Sequence, residues 1–298
     1  MVFLKTKVTI GICARNSEKY IAEAVESVIQ QDFPHNLMEI IFVDDGSEDR
    51  TIEVIRKLIS RIDIPAKIFS GPWKGLGKAR NTIIDNAEGY YIVWVDSDEI
   101  LEPDFLTKQI SLIESHPKVG IVTGRLGILP NSNIVLKLDL IPSMVEYITQ
   151  DWTQAWKLPA TGAATFRVTA ARQVGGFDAD ISGCGEDIEI AQRMKQSGWS
   201  FLRGNAVFYE CHGSLSTWTN LWGRGVKQGM QSRRLYSKTN GFFSVYRMNP
   251  FASLLASLNY TLKGYRFTKM KISFLLPFHF TFKMTAWFYG FTRKPFSH

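Results

Sequence analysis

Over the first hundred residues, short apolar runs alternate with longer stretches of helical period. KVTIGICA (7–14) is apolar and β-prone and predicts a strand. In SEKYIAEAVESVIQQ (17–31), apolar residues at Ile21, Val25, Val28 and Ile29 recur with a helical period, and Ser17 is placed to cap the helix. MEIIFVDDGS (38–47) predicts a second buried strand running into a turn. EDRTIEVIRKLIS (48–60) predicts a helix with Ser47 or Asp49 as its cap. AKIFS (66–70) reads as a short strand, GLGKARNTIIDNAEG (75–89) as a glycine turn entering a helix, and YYIVWV (90–95) as a fourth strand. This alternation predicts an α/β fold, a doubly wound, mostly parallel sheet with helices on both faces.

The pattern changes after about residue 100. A helix is expected after Pro103, then a strand at VGIVTGRL (119–126). Residues 127–160 lack a clean period and are expected to form loops. GAATFRVTAARQVGGF (162–177) predicts a strand, a short helix and a glycine turn. GEDIEIAQRMKQSG (185–198) predicts an amphipathic helix stopping at Gly198. Residues 240–298 are aromatic and basic. Their uncharged run from Ile272 to Phe282 is too short for a membrane span, which needs roughly 20 apolar residues. Interfacial helices, or helices docked on the domain, are the expectation for this C-terminal tail.

Composition sharpens this reading. Residues 1–189 carry 19 Lys/Arg against 27 Asp/Glu, whereas residues 190–298 carry 16 Lys/Arg and a single acid, Glu210. The acidic part suits cations, and the basic part suits phosphates or an anionic membrane. No nucleic-acid motif is present, so no nucleic-acid partner is expected. Cys13, Cys184 and Cys211 are odd in number and lack CxxC spacing, which argues against a disulfide framework or zinc site. The N-terminus lacks the pattern of a signal peptide, and a cytoplasmic setting is expected.

The acids gather at the ends of strands, where ligands bind in open α/β sheets. Asp44 and Asp45 end the second strand, and VDSDEI (95–100) places Asp96, Asp98 and Glu99 after the fourth. Carboxylates at i and i+2 in a tight turn suit one hard cation, Mg²⁺ or Mn²⁺; an ordinary acidic surface turn is the other reading. Asp45 is placed to accept from a nucleobase or ribose, or simply to build the turn. Lys78 and Arg80 in GLGKARN suit a phosphate or a base. Glu186 and Asp187 open a helix behind Gly185, either as favourable acids at its positive end or with one as a general base.

In order and rough spacing, VDDGSxDxT, GxxxARN, VDSD, GGFD and GED resemble the family 2 glycosyltransferases over about residues 7–235. The resemblance implies the GT-A fold, a Rossmann-like sheet, in a transferase domain at 1–239. Its nucleotide-binding half would be 1–100 and its acceptor half 101–239, with 240–298 a separate membrane-associating tail. It implies a nucleotide-sugar donor, UDP-linked ahead of GDP-linked, contacted by Cys13, Ala14, Asp45, Lys78, Arg80, Asp96, Ser97 and Arg224. Asp96 and Asp98 would serve the ribose and a divalent metal. His212 falls where some members place a third ligand, and a structural histidine is the alternative. Asp187 would be the catalytic base, with Glu186 and Gly185 beside the acceptor or supporting the base. LWGRGVKQG stands where processive members carry QxxRW, which argues against processive polymerisation.

The expected activity is therefore inverting, metal-dependent glycosyl transfer to a lipid-linked or cell-surface glycan at the inner face of the membrane. Two alternatives are a non-catalytic nucleotide- or glycan-binding module on the same fold and a sugar-phosphate nucleotidyltransferase. The latter would open with a glycine-rich loop after the first strand, where this chain has CARNSEKY. Glu99 has no role in this scheme beyond a turn residue or a supporting acid.

Overall fold

The computed structural model describes residues 7–129, 132–149, 159, 161–181, 185–210, 217–239 and 250–293. The chain divides into two compact units. The first comprises residues 1–127 and 151–211, the second 128–150 and 212–298.

The first unit is built on an eight-stranded sheet. Its strands are β1 (Val8–Ala14), β2 (Met38–Asp45), β3 (Ala66–Gly71), β4 (Tyr91–Trp94), β5 (Glu99–Leu101), β6 (Val119–Leu126), β7 (Ala164–Arg167) and β8 (Ser200–Glu210). They lie in the order β3-β2-β1-β4-β7-β6-β8-β5. The β1–β2, β1–β4, β2–β3 and β6–β8 pairs are parallel; β7 runs antiparallel to β4 and β6, and β5 to β8. The central strands are buried on both faces, as their continuous apolar runs require.

Helices α1 (Ile21–Ile29), α2 (Thr51–Ile59) and α3 (Leu76–Asn86) follow the first three strands. After β5 come α4 (Phe105–Glu114), α6 (Val168–Gln173) and α7 (Glu186–Gln196). One apolar layer joins Ile10, Ile12, Val25, Phe42 and Phe105; a second joins Ile41, Ile83, Trp94, Phe166 and Met194. Two expected caps are used differently. The Ser17 hydroxyl bonds Ser97 rather than capping α1 (2.7 Å), and the Ser47 hydroxyl donates to Asp44. Asp49 accepts the Thr51 N–H at the start of α2 (3.0 Å).

The second unit is helical, with α5 (Ile134–Thr149), α8 (Trp218–Thr239), α9 (Pro250–Thr268) and α10 (Leu276–Thr292). The expectation of loops over 127–160 is thus corrected at 134–149. Helix α5 is apolar on most sides and carries Pro142 inside it, so no clean period marks it. The boundary expected at 239/240 also falls differently, because α8 packs along α10 and joins the tail helices. Gly229 and Gly290 permit that approach: a Cβ on Gly290 would stand 2.0 Å from the Val226 carbonyl oxygen. Among the described residues, no helix is long and apolar enough to cross a membrane.

Replacing Gly290 by leucine should destabilise the helical unit by about 1–3 kcal/mol through overpacking. Thermal or denaturant unfolding of the variant measures the loss.

Candidate active site

The loops at the C-terminal ends of β1 and β2 are laced together. Asn16, in a left-handed conformation (φ 51°), accepts the Glu48 N–H on its side-chain oxygen (2.8 Å). Its own N–H donates to Ser47 (3.0 Å), and the Ser17 N–H donates to Thr51 (2.7 Å). Gly46 is required twice over. Its φ is 74°, and a Cβ there would stand 2.5 Å from the Trp73 nitrogen.

Beside these loops lies a cavity of about 230 Å³ lined by Asp44, Asp45, Phe69, Gly71, Lys74 and Lys78, among others. The Asp45 carboxylate accepts backbone N–H groups from Lys74 (2.7 Å) and Gly75 (3.0 Å), which ties the β3–α3 loop to the end of β2. Each of its oxygens keeps a further lone pair for a ligand. Ala14 ends β1 and pairs in register with Asp44. The Cys13 thiol is pushed up to about 12 by burial; the Arg80 charge opposes this, and Asp96 and Asp45 add to it. Cys13 therefore remains a neutral thiol at physiological pH.

Arg80 is almost fully buried. Its guanidinium donates to Glu186 at 2.7 Å, stands 3.7 Å from Asp96, and lies over the rings of Trp94 (5.9 Å) and Phe177 (5.4 Å). Its neighbour Asn81 clamps the GGFD turn: its side chain accepts the Phe177 N–H (2.7 Å) and donates to the Phe177 carbonyl (2.8 Å). Gly176 leaves the space, since a Cβ there would meet the Asn81 oxygen at 2.4 Å. Through Glu186, Arg80 holds the first turn of α7, where the half-buried Asp187 follows directly. Gly185, at φ 103°, occupies the left-handed N-cap of that helix.

Asp96, Ser97 and Asp98 form a partly open turn; the Asp96 side chain is 47% exposed. Glu99 is no exposed turn residue. It is 2% exposed, and one carboxylate oxygen accepts the N–H groups of both Asp96 (2.9 Å) and Ala163 (3.1 Å). Burial, with the carboxylates of Asp96, Glu210 and Asp98 around it, pushes its carboxyl well above the usual range against the Asp96 N–H bond. Its only forewarning in the sequence was its place directly after the DSD turn.

Cys13, Asp45, Arg80 and Asp96 thus share one electrostatic neighbourhood, with Lys78 on the cavity wall beside Asp45. Arg224 is exposed on α8 in the second unit. His212, Cys184 and Cys211 lie outside the described residues. Among the described residues, no group of three or more His, Cys, Asp or Glu side chains is arranged for a metal ion.

Residues 9–174 match the pattern of Glycosyl transferase family 2, more than half the chain. The chain belongs to that family. As a family 2 member it is 33% identical over 110 residues to the poly(ribitol-phosphate) beta-N-acetylglucosaminyltransferase TarS of Staphylococcus aureus, covering 37% of this chain but 19% of TarS. It is 27% identical over 243 residues to the glycosyltransferase GlyA of Streptococcus pneumoniae, covering 76% of this chain and 34% of GlyA. The chain therefore spans well under half the length of these relatives. In fold it is similar to the Pyrobaculum calidifontis mannosyltransferase PcManGT, solved with GDP-Man and Mn²⁺. That match has a TM-score of 0.66 at 18% identity and covers 95% of this chain and 86% of the other. It is also similar to a TarS fragment solved with UDP-GlcNAc, with a TM-score of 0.53 at 19% identity, covering 95% and 89%. The GT-A fold expected from the motifs is the fold observed.

Breaking a buried ion pair on one side strands a charge, which costs about 3–5 kcal/mol. Arg80→Met should lose stability in that range, and Arg80→Met with Glu186→Met should recover much of it; a double-mutant cycle in denaturant measures the coupling.

Proposed function

We propose that this protein is an inverting, metal-dependent glycosyltransferase that moves a sugar from a nucleotide-sugar to a hydroxyl of a lipid-linked or cell-surface glycan. The observation that carries this reading is the Arg80 junction, which sets the first turn of α7, with Asp187, against the DSD turn at Asp96. An acid able to take a proton and an acidic strand-end turn are the two parts such a transfer needs. Family membership and the nucleotide-sugars held by fold relatives support the donor class. The uridine ligands of TarS favour UDP, with GDP as the alternative.

In this reading the nucleobase enters the cavity between Asp45 and Lys78. At about 230 Å³ it suits a base rather than a whole nucleotide-sugar. Asp45 accepts a base N–H, and Cys13, Ala14 and Ser97 border the nucleoside. Arg80 acts from behind, by fixing Asp96 and Glu186, rather than by contacting the nucleotide. The partly exposed carboxylates of Asp96 and Asp98 would supply oxygen ligands suited to Mg²⁺ or Mn²⁺, with His212 a further candidate ligand beside the donor's diphosphate oxygens. When bound, the cation supplies charge neutralisation to the leaving diphosphate.

Asp187 accepts the acceptor hydroxyl's proton as that oxygen attacks the anomeric carbon and the bond to the diphosphate breaks. With one base and no second carboxylate assigned as nucleophile, the transfer is a single displacement with inversion, by the logic that separates the two classes of glycosidase. The acceptor is met at the cytoplasmic face of a membrane through the basic C-terminal helices, where Arg224 is a further candidate for phosphate contact.

Asp187→Asn should lower turnover about 10²- to 10⁴-fold while donor affinity holds; steady-state kinetics beside calorimetry separate the two effects. Near-normal turnover removes Asp187 from the role. Asp98→Ala should abolish the Mn²⁺-dependent part of UDP binding, and calorimetry showing unchanged UDP–Mn²⁺ affinity contradicts the metal assignment.

A further inference from the structure

Part of the helical unit buries small side chains and exposes large apolar ones. On α9 the buried stripe is Ser257, Thr261 and Gly264, spaced as one helix face. The exposed face of the same helix carries Leu254, Leu258 and Leu262 at i, i+4 and i+8, with Leu255 beside them. Leu255 and Leu262 are each 70% exposed. A helix packed to suit water would turn those leucines inward and the serine and threonine outward.

The reversal extends beyond one helix. Gly225, Gly229, Ala286 and Gly290 fill the contact between α8 and α10, close enough that added Cβ atoms would collide with the partner helix. Outside, α10 and the turn before it (Lys271–Leu275) expose Phe274, Phe278 and Phe288, each more than half accessible. One ionisable cluster of this packing lies between the helices. Lys283, itself partly exposed, donates to Asp139 of α5, whose side chain is nearly buried, and His279, 1% exposed, stands 3.5 Å from the same carboxylate.

Small residues between helices, large apolar residues outside and charges paired inside are how helices pack when their surroundings are hydrocarbon. Among the described residues no helix is long and apolar enough to span, so this face suits a bilayer met from one side. The charge fits that occupant. From 211 to 298 the chain carries thirteen Lys/Arg and no Asp or Glu, and Arg266, Lys269 and Lys271, which follow the leucines of α9 in sequence and precede Phe274, are exposed.

We propose that the outer face of α9 and α10 is a membrane-embedding surface, its leucines and phenylalanines entering one leaflet of an anionic bilayer while Arg266, Lys269 and Lys271 meet the lipid phosphates. This deepens the membrane contact proposed above, and it stands apart from the glycosyl-transfer chemistry.

The test is flotation of the full chain with vesicles of phosphatidylcholine alone, vesicles with added phosphatidylglycerol, and the latter in 1 M NaCl. Binding is expected to be strongest with the anionic lipid and to persist in part at high salt, because salt screens the headgroup attraction and leaves the apolar insertion. Replacing Leu255, Leu258 and Leu262 together by aspartate should lower vesicle partition by more than about tenfold. Those side chains are exposed, so the variant should keep its unfolding midpoint and its metal-dependent UDP binding. Loss of donor binding in the wild-type chain with flotation intact overturns the enzymatic reading alone. Three results overturn the embedding surface: no flotation with any vesicle, complete release in 1 M NaCl, or flotation of the triple variant equal to that of the wild type. A dimer in gel filtration that the triple variant dissolves, with no flotation, assigns the face to a second copy of the chain instead.

Discussion

The buried pairing of Arg80 with Glu186 is the constraint on which the candidate site depends. It joins residues 106 positions apart, α3 to the first turn of α7, with both side chains nearly closed to water. A charge so placed must be paired and hydrogen-bonded, because losing either partner leaves the other unsolvated. That requirement makes the contact specific in direction as well as strength. It fixes which turn of α7 faces the sheet, and the same guanidinium reaches Asp96 on its other side. The rings of Trp94 and Phe177 add a cation–π contact that keeps the group in place.

Several residues that read as ligand contacts hold the fold as well. In ARN, Ala79 lines the cavity, Arg80 bridges two acids, and Asn81 locks the GGFD turn. Asp45 ties down the β3–α3 loop with the carboxylate that faces the cavity. Glu99 fastens the DSD turn to the start of β7 through two N–H groups, one from Ala163, itself held at φ 42°. A rigid site at strand ends needs such bonds, since a loop is only as precise as the groups that satisfy its backbone.

The two units differ in what their contacts bury. The sheet unit hides Ile, Val, Phe and Trp between its layers. The helical unit buries aliphatic side chains chiefly on α5, but closes the α8–α10 contact and the inner face of α9 largely with glycine, alanine and small hydroxyl side chains and leaves Leu255, Leu262, Phe278 and Phe288 exposed. Glycine and serine allow helix axes to approach closely and gain dispersion contacts, while adding little that water would expel.

Strand and helix order through Trp94, the acids at strand ends, and the motif sequence were legible in the chain because each is set within a few residues. Period, turn chemistry and strand-end position are local properties. Helix α5 was not legible, since Pro142 and its all-round apolar character erase the period. Strand β8 was missed because its alternation is broken by register shifts against β6. The buried state of Glu99, the partner of Arg80 and the inward face of α9 were also beyond reach. Each is decided by atoms distant in sequence: Ala163 for Glu99, Glu186 for Arg80, and Ile141 with Ser273 against Gly264. The sequence by itself determined the family, the order of the elements through Trp94 and the acids available to a site. Only the tertiary structure decided which acids are buried and which stay partly exposed, and with what they pair, because burial and pairing depend on long-range contacts that no local pattern encodes.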